Sequence, residues 1–194
     1  MQSAKTRRKC SRLITVGMHN ILFKRTASLL FNSNVIRHRP LVMKVRALNV
    51  EDLALVCRHR EEMFRDAGKS DEVLCVMTEH FRTWLKPRLE DGTYFGHVLC
   101  DNEKTVAGIG LMLIDWPPHP SHPTQDKRGY VLNVFVEPEY RRRGLARQLM
   151  KLAEADFAQR GIQFAILHAT EKGSSLYQTL GWDGTTEMAK SLST

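Results

Sequence analysis

The sequence lacks several features that would assign it to a common class of protein. Its four cysteines lie far apart, at positions 10, 57, 75 and 100, and none forms a Cys-x-x-Cys pair. This spacing disfavours a zinc site or a disulfide framework and fits reduced thiols in the cytoplasm. No apolar run approaches the roughly 20 residues of a membrane span. A membrane is therefore not an expected partner. A Walker loop, a Ser-His-Asp arrangement and a metal-binding cluster are also missing, so we expect no bound metal.

Acidic residues are absent from residues 1–42, which hold nine of the 29 Lys and Arg residues. Residues 43–194 therefore carry a net charge of −1, although the whole chain carries +8. A nearly neutral folded part has no broad positive field for nucleic acid or acidic lipid, so nucleic acid is not an expected partner. Residues 1–42 suit an organelle transit peptide, a basic surface-binding arm, or a stretch upstream of a true start at Met43. We favour the last of these or a disordered tail, with one domain over 43–194.

Apolar periodicity predicts a mixed α/β domain. Helical spacing predicts four helices, over residues 50–64, 72–89, 145–160 and 174–180, and Asn49 is the expected cap of the first. Alternating or continuous apolar runs predict six strands, over residues 44–47, 94–100, 105–114, 130–136, 164–168 and 181–188. The second and third form a hairpin, and the last is an edge strand. Strands that alternate with helices after an antiparallel hairpin indicate a mixed sheet.

Two stretches resemble binding motifs but favour structural roles. Gly108-x-Gly110 lies inside a predicted strand and lacks the third glycine of a dinucleotide loop, so it indicates a bulge or a close backbone approach. Residues 115–129 contain four prolines, which take the segment out of the sheet. His119 and His122 in this segment have no carboxylate or cysteine partner at ligand spacing. A surface loop beside the substrate entrance is therefore favoured over a metal site.

The segment VLNVFVEPEYRRRGLAR, residues 131–147, predicts a phosphate site. An apolar strand is followed by a turn, three arginines and Gly144-x-Ala146 at the start of a helix. Backbone N–H groups and the helix dipole favour an anion there, and the two small residues let phosphate oxygens reach the amides. Without an anion, the arginines repel each other and oppose the dipole. A solvated basic turn is therefore the less favoured interpretation.

Arg141-x-x-Gly144-x-Ala146 after an apolar strand resembles the acyl-CoA signature of the GNAT superfamily of N-acyltransferases. The later sequence HATEKGSSLYQTLGW resembles the C-terminal motif of the same superfamily. The resemblance covers about Met43 to the C-terminus. It implies the GNAT fold, a central mixed, mostly antiparallel sheet flanked by helices. It also implies acetyl-CoA as acyl donor and a small-molecule or peptide amine as acceptor, and it leaves a monomer and a homodimer both open.

The resemblance assigns binding roles to individual residues. Val134, Phe135 and Val136 would contact the pantetheine arm and the thioester, with an N–H near Val134 stabilising the oxyanion. The pyrophosphate would lie against the loop formed by Arg141, Arg142, Arg143, Gly144, Leu145, Ala146 and Arg147. Ser174 and Ser175 stand where many relatives carry an asparagine that contacts the arm, which leaves that contact open.

The resemblance also implies that Tyr177 acts as the general acid or orients the sulfur. A phenol with a pKa near 10 stays protonated at neutral pH, so it can protonate the departing CoA thiolate. The alternative is a structural tyrosine that packs on Leu180 and Trp182. The general base is left open between His168 and Glu137, each near the end of a buried strand. We expect an enzyme that transfers the acetyl group directly in a ternary complex. A non-catalytic acyl-CoA sensor is the principal alternative, and a nucleic-acid-binding protein is the third.

Overall fold

The structure is a computed structural model that describes residues 43–192 of the 194-residue chain. The predicted basic extension over 1–42 lies outside the described residues. Within them the strands are β1 Lys44–Ala47, β2 Tyr94–Asp101, β3 Lys104–Asp115, β4 Lys127–Val136 and β5 Ala165–Leu167. The helices are α1 Leu53–Asp66, α2 Asp71–Glu90, α3 Leu145–Gln159 and α4 Glu171–Gln178.

The strands form one sheet in the order β1-β2-β3-β4-β5. All neighbours are antiparallel except β4 and β5, which are parallel. The predicted mixed, mostly antiparallel sheet flanked by helices is therefore confirmed. Adjacent residues of β2 point to opposite faces: Tyr94 packs in a cluster with Val56 of α1 and Leu85 of α2, whereas Phe95 packs against Phe157 of α3. The helices thus cover both faces of the sheet.

The predicted cap at Asn49 is confirmed. Its side-chain Oδ1 accepts a hydrogen bond from the N–H of Glu51 at 2.9 Å, and its own N–H donates to the Asp52 carboxylate at 3.0 Å. Asp52 also forms an ion pair with Arg46 of β1 at 2.7 Å. The guanidinium and the Asn49 N–H hold the pKa of Asp52 below its usual value, although burial opposes them most strongly. This reciprocal cap fixes the short 3-10 turn Val50–Asp52, which leads into α1, against the first strand.

Two predicted boundaries are wrong by three residues. β4 begins at Lys127 rather than at residue 130, because the prolines end at Pro123 and the Lys127 ammonium pairs with Asp115 of β3 at 2.7 Å. α4 begins at Glu171 rather than at residue 174, because Thr170 caps it and accepts a hydrogen bond from the Gly173 N–H at 3.2 Å. A threonine cap is a sequence signal for a helix start.

The predicted edge strand over residues 181–188 is wrong, since residues 181–192 adopt no strand. β5 is only three residues long and, among the described residues, pairs with β4 alone. Trp182 packs on the core, and its indole Nε1 donates to Glu154 at 2.9 Å. Beyond it Met188 is 98% exposed. With no apolar face to bury, this segment gains little from joining the sheet.

Gly108 and Gly110 are sites of close approach, as their spacing indicates. A Cβ on Gly110 would lie 1.8 Å from the hydroxyl oxygen of Tyr94, and one on Gly108 would lie 3.0 Å from Nδ1 of His59. Both contacts lie on the face covered by α1 and α2. The missing side chains make room for a buried tyrosine and a buried histidine.

Gly110→Ala is expected to lower the free energy of unfolding by about 2–3 kcal/mol, because the added methyl forces Tyr94 out of its place. Urea unfolding followed by circular dichroism measures this change. Gly184→Ala is the control, since no atom lies within 4 Å of its Cβ position, and its effect should stay within about 0.5 kcal/mol. Equal effects of the two substitutions would contradict the close packing at Gly110.

Candidate functional site

The site centres on the place where β4 and β5 separate. β5 pairs with β4 only at residues 129–131, although β4 continues to Val136 and stays paired with β3 on its other side. The edge of β4 from Leu132 to Val136 therefore has no strand partner in the described part of the chain. Val134, Phe135 and Val136 lie on this open stretch. An extended amide chain can pair with such an edge as an added strand.

β4 contains a bulge directly after the separation point. Gly108 pairs with Phe135 and Gly110 pairs with Leu132, so one residue of β3 faces two residues of β4. Asn133, the first of the two, has a φ of 51°. A bulge bends a strand and re-aims its backbone groups. The sequence indicated only that the glycines mark such a place. On β4, the sequence feature that marks the bulge is an asparagine inside an apolar run, because asparagine tolerates positive φ.

Buried hydrogen bonds hold the bulge. The Asn133 amide nitrogen donates to the Tyr94 hydroxyl at 2.9 Å, and its oxygen accepts from Nη1 of Arg60 at 2.8 Å. Burial raises the pKa of Tyr94 well above its ordinary value, so the phenol stays protonated. Asn133 thereby connects β4 to α1 and β2. Neither Arg60 nor Tyr94 was predicted to belong to the site.

The loop between β4 and α3 has two residues with positive φ and an open space beside its glycine. Arg142 has a φ of 63° and Gly144 a φ of 81°, and no atom lies within 4 Å of a Cβ position on Gly144. The Gln148 N–H donates to the Gly144 carbonyl at 3.0 Å, which makes it the first amide of α3 with an intrahelical partner. The N–H groups of residues 145–147 therefore lie at the free end of the helix. This geometry fits a diphosphate.

The arginines of the loop do not act alike. Arg141 points away from the helix start: its Nη2 pairs with Asp66 of α1 at 2.6 Å, and its Nε donates to the Val136 carbonyl at 3.0 Å. Arg143 donates to the Glu139 carbonyl at 2.8 Å. Arg141 and Arg143 therefore brace the loop.

The other two arginines are placed differently. Arg147 donates to the Thr179 hydroxyl at 3.0 Å, and Arg142 makes no hydrogen bond or ion pair to another described side chain. The predicted repulsion of three adjacent charges is thus reduced, because Arg141 already has a carboxylate partner. The charge of Arg142 remains unpaired.

Tyr177 and Ser174 lie on α4 and line a cleft of about 880 Å³. The Tyr177 ring is half-buried against the main core, and burial raises its pKa. Its hydroxyl has no hydrogen-bond partner within residues 43–192. Residues of the proline-rich loop, β5 and the segment after Trp182 form the other walls. α1 and α2 do not line this cleft.

The two candidate bases lie apart. His168 follows β5 directly and is level with Leu132, whereas Glu137 follows β4. At about 3.3 Å per residue, Glu137 is roughly 15 Å farther along the strand, so the two cannot serve one amine. Nδ1 of His168 is 2.7 Å from the Tyr130 hydroxyl. Glu137 is held by Arg58 at 2.5 Å.

His59 of α1 is a buried histidine that the sequence did not single out. Its Nε2 is 3.8 Å from the Glu137 carboxylate, too far for a hydrogen bond, and it has no hydrogen-bond partner. Burial lowers the pKa of His59 from 6.5 to about 4, and the Arg58 charge adds to this effect. At neutral pH His59 is therefore uncharged and does not pair with Glu137 as an ion.

Other classes of site are missing from the described residues. No group of three or more His, Cys, Asp or Glu side chains could hold a metal ion in residues 43–192. His122 is buried and instead accepts a hydrogen bond from Arg128 at 2.8 Å. Over the same residues, no helix has both the length and the apolar character to cross a membrane.

Comparisons with known proteins point in one direction. A sequence profile described as the acetyltransferase (GNAT) family matches residues 56–182. A GCN5-related N-acetyltransferase from Ralstonia eutropha JMP134 has 58% sequence identity and a TM-score of 0.76, and the match covers 77% of this chain and 98% of that chain. No curated protein sequence matches the chain.

More distant structures share the fold. A predicted acetyltransferase from Clostridium acetobutylicum, solved with acetyl-CoA, is 21% identical with a TM-score of 0.71, over 77% of this chain and 96% of that chain. A glucosamine-6-phosphate N-acetyltransferase from Arabidopsis thaliana is 17% identical with a TM-score of 0.53, over 78% and 99% of the two chains.

Ala146→Glu is expected to weaken coenzyme A binding at least about 30-fold, because a carboxylate at the start of α3 repels the diphosphate and blocks the amides. Isothermal titration calorimetry measures the dissociation constant. Ala155→Glu, at an exposed position of the same helix, adds the same charge away from the loop and should change the constant less than about threefold. Equal losses in both variants would contradict a diphosphate site at residues 142–147.

His59 predicts a specific loss of stability in acid. Because its pKa falls from 6.5 to about 4 on folding, the unfolded chain binds the proton first, and stability is lost as pH falls from 6.5 towards 4. The full shift corresponds to about 3 kcal/mol. Urea unfolding at both ends of this range should show a smaller loss for His59→Asn than for the wild type. His80→Asn, at an exposed position of α2, should leave the loss unchanged, and a wild-type loss in His59→Asn would contradict the assignment.

Proposed function

Because this chain belongs to the GNAT acetyltransferase family and is an acyltransferase, we propose that it moves an acetyl group from acetyl-CoA to a primary amine by direct attack in a ternary complex. Acetyl-CoA is a substrate here and supplies the acetyl group as a thioester. The observation that carries the proposal is the open edge of β4, which leads directly into the exposed amides at the start of α3.

The binding residues act mainly through their main chain. The amides of residues 142–147 hold the pyrophosphate, and the side chains of Arg142 and Arg147 add positive charge. Arg141 and Arg143 keep the loop in place through Asp66 and the Glu139 carbonyl. The open stretch of Val134, Phe135 and Val136 pairs with the amides of the pantetheine arm. Ser174 lines the cleft beside Tyr177 on α4.

The bulge supplies the group that stabilises developing charge. In this proposal the N–H near Val134 donates to the thioester carbonyl oxygen as that oxygen gains negative charge. A positioned donor of this kind typically contributes a hundredfold or more to the rate. The bulge at Asn133 supports this role, because it re-aims the backbone at the position where the amide is required.

Tyr177 acts as the general acid. The amine nitrogen forms a bond to the carbonyl carbon, the carbon–sulfur bond breaks, and the Tyr177 hydroxyl gives its proton to the departing sulfur. Two observations support the assignment: burial raises the pKa of this phenol, and its hydroxyl has no partner among the described residues. It is therefore protonated and available at neutral pH.

His168 is the better placed of the two candidate bases. It lies about two residues of strand from the level of Val134, whereas Glu137 already has an ion-pair partner in Arg58. The tautomer in which Nδ1–H donates to the Tyr130 oxygen leaves Nε2 free to accept the proton of the attacking amine. Glu137 would instead position Arg58 and the end of β4.

The described cysteines are free thiols, which supports a reducing, cytoplasmic location.

Tyr177→Phe is expected to lower kcat about a hundredfold with little change in coenzyme A binding, because it removes the proton donor and keeps the ring. Release of free thiol from acetyl-CoA with a panel of amines measures the rate. Tyr140→Phe is the matched control, since its hydroxyl donates to Asp101 away from the cleft. Unchanged turnover in Tyr177→Phe would contradict the acid role. Tight coenzyme A binding with no turnover on any amine would favour an acyl-CoA sensor.

A further inference from the structure

A cationic side chain lies beside the bulge with no counter-charge. The Arg60 guanidinium, on the face of the sheet covered by α1 and α2, is half-buried and bonds to Asn133 through Nη1 at 2.8 Å. Its central carbon lies 4.9 Å from the ring centre of Phe64 and 4.5 Å from that of Phe81. Two aromatic faces and one amide oxygen are its neighbours.

These neighbours do not neutralise the charge. Arg46, Arg58 and Arg141 each have a carboxylate partner, whereas the ion pairs of residues 43–192 do not include Arg60. Its Nε is buried and has no acceptor. Burial also lowers the pKa of Arg60, because it removes water from around the charged guanidinium. A buried donor without a partner is unfavourable, and more so when it is charged.

Arg60 is next to the place where the acyl group is proposed to lie. Asn133 immediately precedes Val134, so the guanidinium is one side chain away from the amide that faces the thioester. Tyr130 lies on the same face of the sheet as Arg60, because it is two residues before Leu132, which packs against the cluster of α1 and α2 residues. Tyr130 in turn contacts His168, the proposed base. Tyr130 thus connects the face of the sheet that holds Arg60 to the proposed base.

We propose that Arg60 binds a carboxylate of the acceptor, so that the substrate is an amine that also carries a carboxylate, such as a free amino acid. The inference rests on the proposed N-acetyltransferase function and narrows its substrate class. An amine that arrives as a simple ammonium ion would be repelled by the guanidinium. A carboxylate offsets the charge and accepts hydrogen bonds from the terminal N–H groups of the guanidinium that Asn133 does not use. The rings of Phe64 and Phe81 add an apolar wall.

The test compares each amino acid with the amine that lacks its carboxylate: leucine with isoamylamine, phenylalanine with phenethylamine, and β-alanine with ethylamine. The wild type should favour the acid of at least one pair by about tenfold or more in kcat/KM, as expected for charge-assisted hydrogen bonds. Arg60→Gln should remove this preference by lowering the rate with the acid only. Arg82→Gln, at an exposed position of α2, should preserve it.

A purely structural Arg60 gives a different result. If Arg60 only supports Asn133, Arg60→Gln lowers the rate equally with both members of a pair, which overturns the proposal. A wild type that favours the neutral amines in every pair also overturns it.

A binding measurement separates this proposal from the transferase function. Calorimetry with 3-phenylpropionate, a carboxylate without an amine, is carried out on the protein saturated with coenzyme A. If 3-phenylpropionate binds and Arg60→Gln weakens this binding by about tenfold or more, the carboxylate site is supported. If no amine is acetylated in the same experiments, only the proposed transferase function is contradicted. If 3-phenylpropionate does not bind and the wild type shows no preference for the acids, the carboxylate site is overturned. The thiol-release assay with the panel of amines then tests the transferase function separately.

Discussion

β4 keeps its partner on one side and loses it on the other, and the rest of the site depends on this asymmetry. Pairing with β3 holds the strand in the sheet up to Val136, while β5 leaves it after Val131. Buried backbone amides nearly always have hydrogen-bond partners. An unpaired stretch at the centre of a fold therefore indicates water or a ligand at that edge. The helix start that follows in sequence adds a second set of free amides, in line with the first.

The bulge at Asn133 requires support from the face of the sheet that α1 and α2 cover. A non-glycine residue with positive φ is strained by about 1–2 kcal/mol, so the conformation persists only where neighbours stabilise it. The amide of Asn133 uses both its donor and its acceptor for this purpose, towards Tyr94 and Arg60. Gly110 gives Tyr94 the space that it needs. One network thus fixes the backbone near the proposed oxyanion site and brings Arg60 to its edge.

Local patterns in the sequence predicted most of the elements, because capping, periodicity and loop composition act over a few residues. Asn49, the proline-rich loop and the helix start at Gly144 are examples. Contacts between distant residues were not predictable in this way: Arg141 meets Asp66 across 75 positions, and Arg60 meets Asn133 across 73. The motif around Arg141 therefore predicted the position of the loop, but it did not predict that the Arg141 side chain points towards Asp66. The predicted strand after Trp182 was wrong for a different reason: the alternation there is weak and gives the segment no apolar face to bury.

The exposed edge of β4 also affects how the protein behaves between turnovers. An unpaired strand recruits any extended chain, including the same strand of another molecule. The proposed pairing with the pantetheine arm would cover this edge with a sixth strand. Bound acetyl-CoA or bound coenzyme A would then also protect the protein from edge-to-edge association.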